Sequence, residues 1–438
     1  MRALAFVSSI ACLTLLYRSQ HKLGVPLGSL HGIWGPAFYA SASIVTCWSL
    51  AGLETTWYAY LAFLTVVVAS SDTISSRRAI VLGILCGVCA LTRPDGILIG
   101  LSVLLFLVAG RRIERKRLLL FLTPAVLLVG SHLMWWVSYY GEWLPSTAYA
   151  KVGFQWAQAL RGGDYLLKGT QDLGSTPLWL IVFLAPWVRR RSPFLKHCSA
   201  TGVILALGVV AVGGDGLPMY RFLVPIIPFW VVLMGDLLAR IRAEATIAQV
   251  RFWVSAGVGS AAVCLLLLPP KHLQQYDLFL FQRDFQVPIW TGAGKWLATH
   301  SSPDSSLACV PIGTFGYFSS LRVYDMLGLT DKHIAKMEAT VGSGWARHEK
   351  HDGPYILSQK PTYLLLGNIQ VIKKALPLDH PQFCRPPAPV IRAWEKDVFQ
   401  PEFYENYSPR VVPLREGYYF HFYQRDSPRL FLNKGGQK

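Results

Sequence analysis

The run AIVLGILCGVCALTRPDGILIGLSVLLFLVAGRRIERKRLLLFLTPAVLLVGSHLMWWVSYY, residues 79–140, decides the fold class. Three apolar stretches, 79–92, 96–110 and 117–138, are separated by two short loops of opposite character. The first loop, Thr92-Arg93-Pro94-Asp95-Gly96, is tight and carries an acid and a glycine; the second, 111–117, is almost entirely basic. Consecutive apolar runs with a tight turn on one side and a basic loop on the other are the pattern of a helical membrane hairpin.

The same alternation extends outward in both directions. Ten apolar segments precede residue 270, at about 3–17, 33–51, 56–70, 79–92, 96–110, 117–138, 176–188, 200–213, 222–240 and 252–268. Several are shorter than the roughly 20 residues of a full span, which a bundle that thins the bilayer or lines a cavity tolerates. Composition agrees: of 438 residues 52% are hydrophobic and only 15% charged, and the mean hydropathy is +0.35. Soluble domains carry about a quarter charged residues, so a soluble enzyme and a disordered chain are both excluded. The net charge of +17 does not indicate nucleic acid, because residues 1–268 hold 22 Lys and Arg against 10 Asp and Glu, among apolar segments. Basic loops in that setting orient a membrane protein.

The loops fall into two sets. One contains Arg18 and Lys22, Arg77 and Arg78, the basic 111–117 loop, 189–196, and Arg240, Arg242 and Arg251; it holds 16 of the 22 basic residues. The other contains Gly52-Leu53-Glu54, the Arg93–Asp95 turn, the long stretch 139–175 and Gly213-Gly214-Asp215-Gly216. The positive-inside rule makes the first set cytoplasmic and the second external. It also places the N-terminus and the tail from 269 outside. The expected architecture is an α-helical polytopic membrane bundle of about ten spans, residues 1–268, followed by an extracytoplasmic α/β domain, residues 269–438. In that tail, 292–300 reads as an amphipathic helix and 306–311, 362–366 and 418–424 as strands. Residues 1–17 also admit a signal-peptide reading, but lack a small-residue cleavage site.

Ionisable residues at membrane depth cost several kcal/mol and therefore mark sites. Glu54, Arg93, Asp95, Asp215 and Arg221 stand at the ends of apolar segments on the external set of loops, with Lys151 in the long external stretch. Arg93, Arg221 and Lys151 suit an anionic phosphate; Glu54, Asp95 and Asp215 suit a proton acceptor, a binder of hydroxyls, or a divalent cation. Each has a plainer reading: Arg93 and Asp95 as a paired hairpin cap, Glu54 as a helix-start acid, the glycine-rich turn as a turn, and Lys151 as a surface charge. In the tail, His348-Glu349-Lys350-His351-Asp352 lacks the order of a zinc motif and reads as a charged helix start or a ligand-contacting loop. No metal ligands are assigned and no cofactor is called for. Cys86 and Cys89, inside an apolar run, read as packing residues; Cys309 and Cys384 share the external side and could form one disulfide.

Several strings taken in order resemble one family: SLAGLET at 49–55, ALTRPDG at 90–96, LPSTAYAK at 144–151, GGDG at 213–216 leading into YRFLVP at 220–225, DMLGLTD at 325–331 and HEK at 348–350. They are similar to the polytopic GT-C glycosyltransferases, and among these to the polyprenyl-phosphate-dependent arabinofuranosyltransferases, over roughly residues 33–370. The resemblance implies transfer of a sugar from a polyprenyl-phosphate donor to a cell-envelope glycan or lipid acceptor, at the outer face of the cell membrane. It implies Glu54, Asp95 and Asp215 as candidate catalytic acids, and Arg93, Lys151, Arg221, His348 and Lys350 as candidate substrate-binding residues. That family keeps an acidic residue in a first outer loop ahead of the second helix. This sequence opens at what looks like that second helix, so one or more upstream helices are expected to be missing from it. The competing readings are an inactive scaffold or truncated relic of such an enzyme, and a transporter, which would show inverted repeats that the sequence lacks.

Overall fold

A computed structural model describes residues 2–21, 30–71, 73–151, 155–174, 176–188, 192–244, 275–339, 349–366, 371–378, 380 and 393–426. The chain forms two compact units: Met1–Trp143 with Trp156–Asp277, and Leu144–Gln155 with Leu278–Lys438.

The first unit is helical. Its helices are α1 (Arg2–His21), α2 (Leu30–Ser41), α3 (Ser43–Leu50), α4 (Thr55–Ala69), α5 (Ser76–Thr92), α6 (Ile97–Ala109), α7 (Arg115–Tyr140), α9 (Trp156–Asp172), α10 (Thr176–Val188), α11 (Pro193–Val212) and α12 (Ile227–Glu244). The short α8 (Ser146–Lys151) belongs to the second unit. Among the described residues four helical stretches are long and apolar enough to cross a membrane: Arg2–Gln20, Arg115–Tyr140, Pro193–Val212 and Arg221–Arg240. At 26 residues α7 is about 39 Å long, enough for a hydrocarbon core of roughly 30 Å. It buries only Phe121, while Leu119, Val126, Leu127 and Met134 stand exposed along it. Such a surface is stable only against lipid, so the protein is a membrane protein.

Two details depart from the sequence reading. Segments 33–51 and 56–70 look like two separate straight spans. Instead 33–51 breaks after Ser41 into α2 and α3, and α3 and α4 reach the length and hydropathy of a span only together, bent by 116°. The stretch 139–175, read from sequence as one long connection, contains α8 and the amphipathic α9, which packs on α11. The segment 252–268 lies outside the described residues.

Helix contacts in this unit depend on small residues. α5 lies against α7 so closely that a side-chain carbon at Gly83 would stand 2.1 Å from the Phe121 carbonyl oxygen. Cys86 is buried in the same apolar cluster as Leu82, Val103 and Leu107, and Cys89 is buried one turn on, facing Thr65. Both cysteines are packing residues, as their setting in an apolar run suggests.

The second unit is built on a mixed sheet of β1 (Ser306–Cys309), β2 (Arg322–Asp325), β3 (Tyr363–Leu364), β4 (Val371–Ile372), β5 (Tyr407–Pro413) and β6 (Tyr419–Arg425). β1 pairs in parallel with β2 and β3, and β6 pairs antiparallel with β3, β4 and β5. The β1–β2 crossover runs through α14 (Ile312–Ser319), since parallel neighbours cannot be joined by a tight turn. Side chains alternate across the sheet. Leu307, Tyr363, Phe420 and Phe422 pack with α13 (Val287–His300) and α14; Ala308, Leu364 and Tyr423 pack on the opposite face with Ile334, Ile356 and Phe403. Both faces are thus covered, and the three strands read from sequence fall at β1, β3 and β6. Cys309 is buried in β1; Cys384, its expected disulfide partner, lies outside the described residues.

The α5–α7 contact yields a test. Gly83→Leu forces the two backbones apart and should cost roughly 1–3 kcal/mol, read as a fall of several degrees in the melting temperature of the purified protein in detergent. An unchanged melting temperature would contradict the helix packing described.

Candidate functional site

Four interruptions of the helical unit bring their polar residues to one place. The first is the bend between α3 and α4. Glu54 holds the N-cap position of α4, yet its side chain makes no capping bond. The second is the α5–α6 turn, where Arg93 is extended and Pro94–Gly96 form a single 3-10 turn. The turn closes tightly enough that a side-chain carbon at Gly96 would stand 2.0 Å from the Cys89 carbonyl oxygen. The third is the end of α11, where Gly213 and Gly214 take φ of +83° and +75° and Tyr165 of α9 occupies the space a side chain at Gly214 would need.

The fourth is strained. Met219 and Tyr220 are consecutive left-handed residues, φ +64° and +44°, both buried. Non-glycine residues avoid this region, at a cost of about 1–3 kcal/mol each, and keep it only where surroundings enforce it. Here the Trp48 indole N–H donates to the Met219 carbonyl at 2.9 Å, the Tyr220 hydroxyl donates to Asp172 at 2.7 Å, and the Phe222 N–H donates to the Tyr165 hydroxyl at 3.3 Å. The strained pair sets the direction of Arg221 and Phe222.

Arg93 donates to both oxygens of Asp95, Nε at 2.9 Å and Nη2 at 3.0 Å, and its Nη1 lies 3.8 Å from Glu54. Its guanidinium is flanked by the rings of Phe222, at 4.7 Å, and Tyr58, at 5.1 Å. Arg221 pairs with Asp215 at 2.8 Å and lies 5.1 Å from the same Phe222 ring and 5.8 Å from Trp48. Phe222 is therefore shared by two arginines, and all five ionisable residues singled out at the helix ends meet around it. Their exposure is uneven. Asp215 and the two arginine side chains are 5–16% exposed, whereas Glu54 and Asp95 are 30% and 32%. The carboxylates of Glu54 and Asp95 are thus the most exposed charges of the cluster, with Arg93 more deeply buried. The hairpin-cap reading of Arg93 and Asp95 is correct as geometry, and the pair is also part of a larger assembly.

The remaining candidates lie in the second unit. Lys151 closes α8; His348 is outside the described residues. Lys350 donates to the carbonyls of Tyr149 at 2.9 Å and Ala335 at 2.7 Å, tying LPSTAYAK to the tail, and burial lowers its pKa. DMLGLTD is a tied turn. Asp325 accepts from the Leu327 and Thr330 N–H groups and the Thr330 hydroxyl, although burial still pushes its carboxyl up. Asp331 caps α15 (Lys332–Lys336) and accepts from the Tyr355 hydroxyl. Beside it His333 pairs with Asp352 at 2.8 Å, and His351 with Asp397 at 3.0 Å. Burial opposes the Asp397 charge, but His351 and the Gly353 N–H outweigh it and hold the carboxyl below the usual range. Among the described residues no group of three or more His, Cys, Asp or Glu side chains is arranged to hold a metal ion.

Sequence reasoning missed the aromatic frame: Trp48, Tyr58, Tyr165 and Phe222. Aromatic residues inside apolar runs look the same whether they face lipid or a site. Only the adjacency of Phe222 to Arg221 was a usable signal.

Comparison with known proteins adds little to this geometry. The profile of a family described as a domain of unknown function (DUF8728) matches residues 277–423, most of the second unit. No curated protein matches the sequence. Two solved structures are similar at 13% identity: ArnT from Cupriavidus metallidurans in the apo state, TM-score 0.45, and the same protein bound to undecaprenyl phosphate, TM-score 0.44. Each alignment covers 74% of this chain and 71% of the other.

Two outcomes follow. Arg93→Ala leaves Asp95 and Glu54 without their counter-charge and should destabilise the protein by about 2–4 kcal/mol; Arg221→Ala, more exposed and held by one carboxylate, should cost less. Thermal unfolding in detergent measures both, and equal costs would contradict the difference in burial. In the tail, a carboxyl with a lowered pKa adds stability above its unfolded value that is lost as pH falls through the folded one. Asp397→Asn should therefore cost about 1 kcal/mol near neutrality and flatten the acid limb between roughly pH 5 and pH 2. Parallel wild-type and variant melting curves across that window would refute this.

Proposed function

We propose that the protein is a membrane glycosyltransferase that moves a sugar from a polyprenyl-phosphate donor to a glycan or lipid acceptor of the cell envelope. The observation that carries the reading is the convergence on Phe222. Five ionisable side chains, drawn from a broken helix, a helical hairpin turn, a diglycine turn and a strained bend, gather at the ends of apolar helices, where such groups are costly unless used. Broken helices recur at substrate sites in membrane proteins because they free backbone groups and a helix dipole at depth.

The reaction needs a base for the acceptor hydroxyl and positive charge for the departing phosphate. Glu54 and Asp95 are the candidate bases, because their carboxylates are the accessible ones. Asp215, nearly buried, holds Arg221 in place. Arg221, less buried than Arg93 and held by one carboxylate, is the candidate phosphate partner in this unit. Lys151, His348 and Lys350 remain candidates for the acceptor or donor in the second unit. The basic 111–117 loop at the start of α7 supports the orientation with the site on the outer face, and Trp135, Trp136, Tyr139 and Tyr140 at its other end suit a membrane–water interface. The tail domain is accordingly proposed to be extracytoplasmic. Resemblance to arabinofuranosyltransferases makes polyprenyl-phosphate arabinofuranose the first donor to try.

The test is sugar transfer in proteoliposomes from a panel of polyprenyl-phosphate sugars. Glu54→Gln or Asp95→Asn, whichever removes the base, should lower turnover by about 10²–10⁴. Arg221→Ala should weaken donor use roughly ten- to a hundredfold. No transfer or donor binding by the wild-type protein would remove the reading; full activity in all three variants would remove the residue roles.

A further inference from the structure

Behind the Arg93–Glu54 pair lie three buried polar atoms with no hydrogen-bond partner among the described residues: Thr55 Oγ1, Tyr58 Oη and Arg93 Nη1. Thr55 and Tyr58 are wholly buried and Arg93 is 7% exposed. They belong to one locus. Thr55 and Tyr58 are three residues apart, hence on one face of α4, and the Arg93 guanidinium lies over the Tyr58 ring. Leaving such an atom unpaired in the interior is unfavourable, so three together are not a neutral packing detail.

The chemistry of the locus selects its occupant. Arg93 Nη1 can only donate, while the two hydroxyls can donate or accept. Glu54 and Asp95, at its mouth, can only accept when ionised. One guanidinium faces two carboxylates there, so a phosphate would enter against excess negative charge. A neutral polyhydroxyl compound meets no such penalty, and each hydroxyl can donate to a carboxylate while accepting from Arg93, Tyr58 or Thr55.

We propose that Thr55, Tyr58 and Arg93, with the carboxylates of Glu54 and Asp95, form a sugar-hydroxyl subsite, and that the phosphate of the donor is held elsewhere. This rests on the transferase reading in taking the sugar to be the one transferred. It separates the two arginines: Arg93 addresses the sugar and Arg221 remains for the phosphate.

Binding to the full chain in phospholipid nanodiscs tests it, with octyl arabinofuranoside, octyl glucopyranoside and polyprenyl phosphate as probes, in wild type, Tyr58→Phe and Thr55→Val. Saturation-transfer NMR reads the glycosides and calorimetry the phosphate. The expected result is glycoside binding by wild type, weakened about tenfold in each variant through loss of one hydrogen bond, with polyprenyl phosphate affinity unchanged. Three results would overturn the subsite: no glycoside binding by wild type, unaltered glycoside binding in both variants, or polyprenyl phosphate binding weakened as much as glycoside binding. Glycoside binding that behaves as expected beside a wild type that ignores polyprenyl phosphate would uphold the subsite while removing the lipid-phosphate donor.

Discussion

The paired hydrogen bonds between Arg93 and Asp95 hold the helical unit's polar end together. A guanidinium this deeply buried needs its charge balanced, and the two bonds from Nε and Nη2 to Asp95 do so across the turn between α5 and α6. With the pair formed, the arginine becomes a flat, partly neutralised plate on which Phe222 and Tyr58 rest. Glu54 approaches from the bend, Arg221 from the far side of Phe222, and Asp215 from behind Arg221. Each later contact presupposes the earlier one.

This order explains where strain is tolerated. Residues 219 and 220 are held in an unfavourable conformation by Trp48 of α3 and Asp172 of α9, neither of which is among the five ionisable residues gathered around Phe222. The helix α9 reaches its place because its glycines allow close approach: a side chain at Gly162 would collide with the backbone at Val210. A helix in the nominal loop between two spans thus acts as the brace for the bend that orients Arg221.

Much of this site was legible in the sequence, for a physical reason. A charge in an apolar run is expensive, so Glu54, Arg93, Asp95, Asp215 and Arg221 stood out, and the turn residues around them fixed which ends of the helices they occupied. The path of 33–70 was not legible, because apolar composition is the same for a straight helix and for one bent by 116°. Nor were the aromatic rings, whose partners come from distant positions. In the tail, short apolar runs revealed β1 and β3 and alternation revealed β6, while β2, β4 and β5 were hidden: β4 is two residues followed by Lys373 and Lys374 instead of an apolar run, and β2 and β5 carry polar or proline residues.

The twelve residues Leu144–Gln155 fold with the tail although both of their neighbours in the chain fold with the helices. The polypeptide therefore passes between the units three times. As the chain emerges from the ribosome, this segment waits for Lys350, some two hundred residues downstream, before its Tyr149 carbonyl finds a partner. The second unit cannot mature as a simple appendix to a finished first one. A chain cut short before residue 350 would leave the Tyr149 carbonyl without this donor, so the loss would be felt in the middle of the sequence as well as at its end.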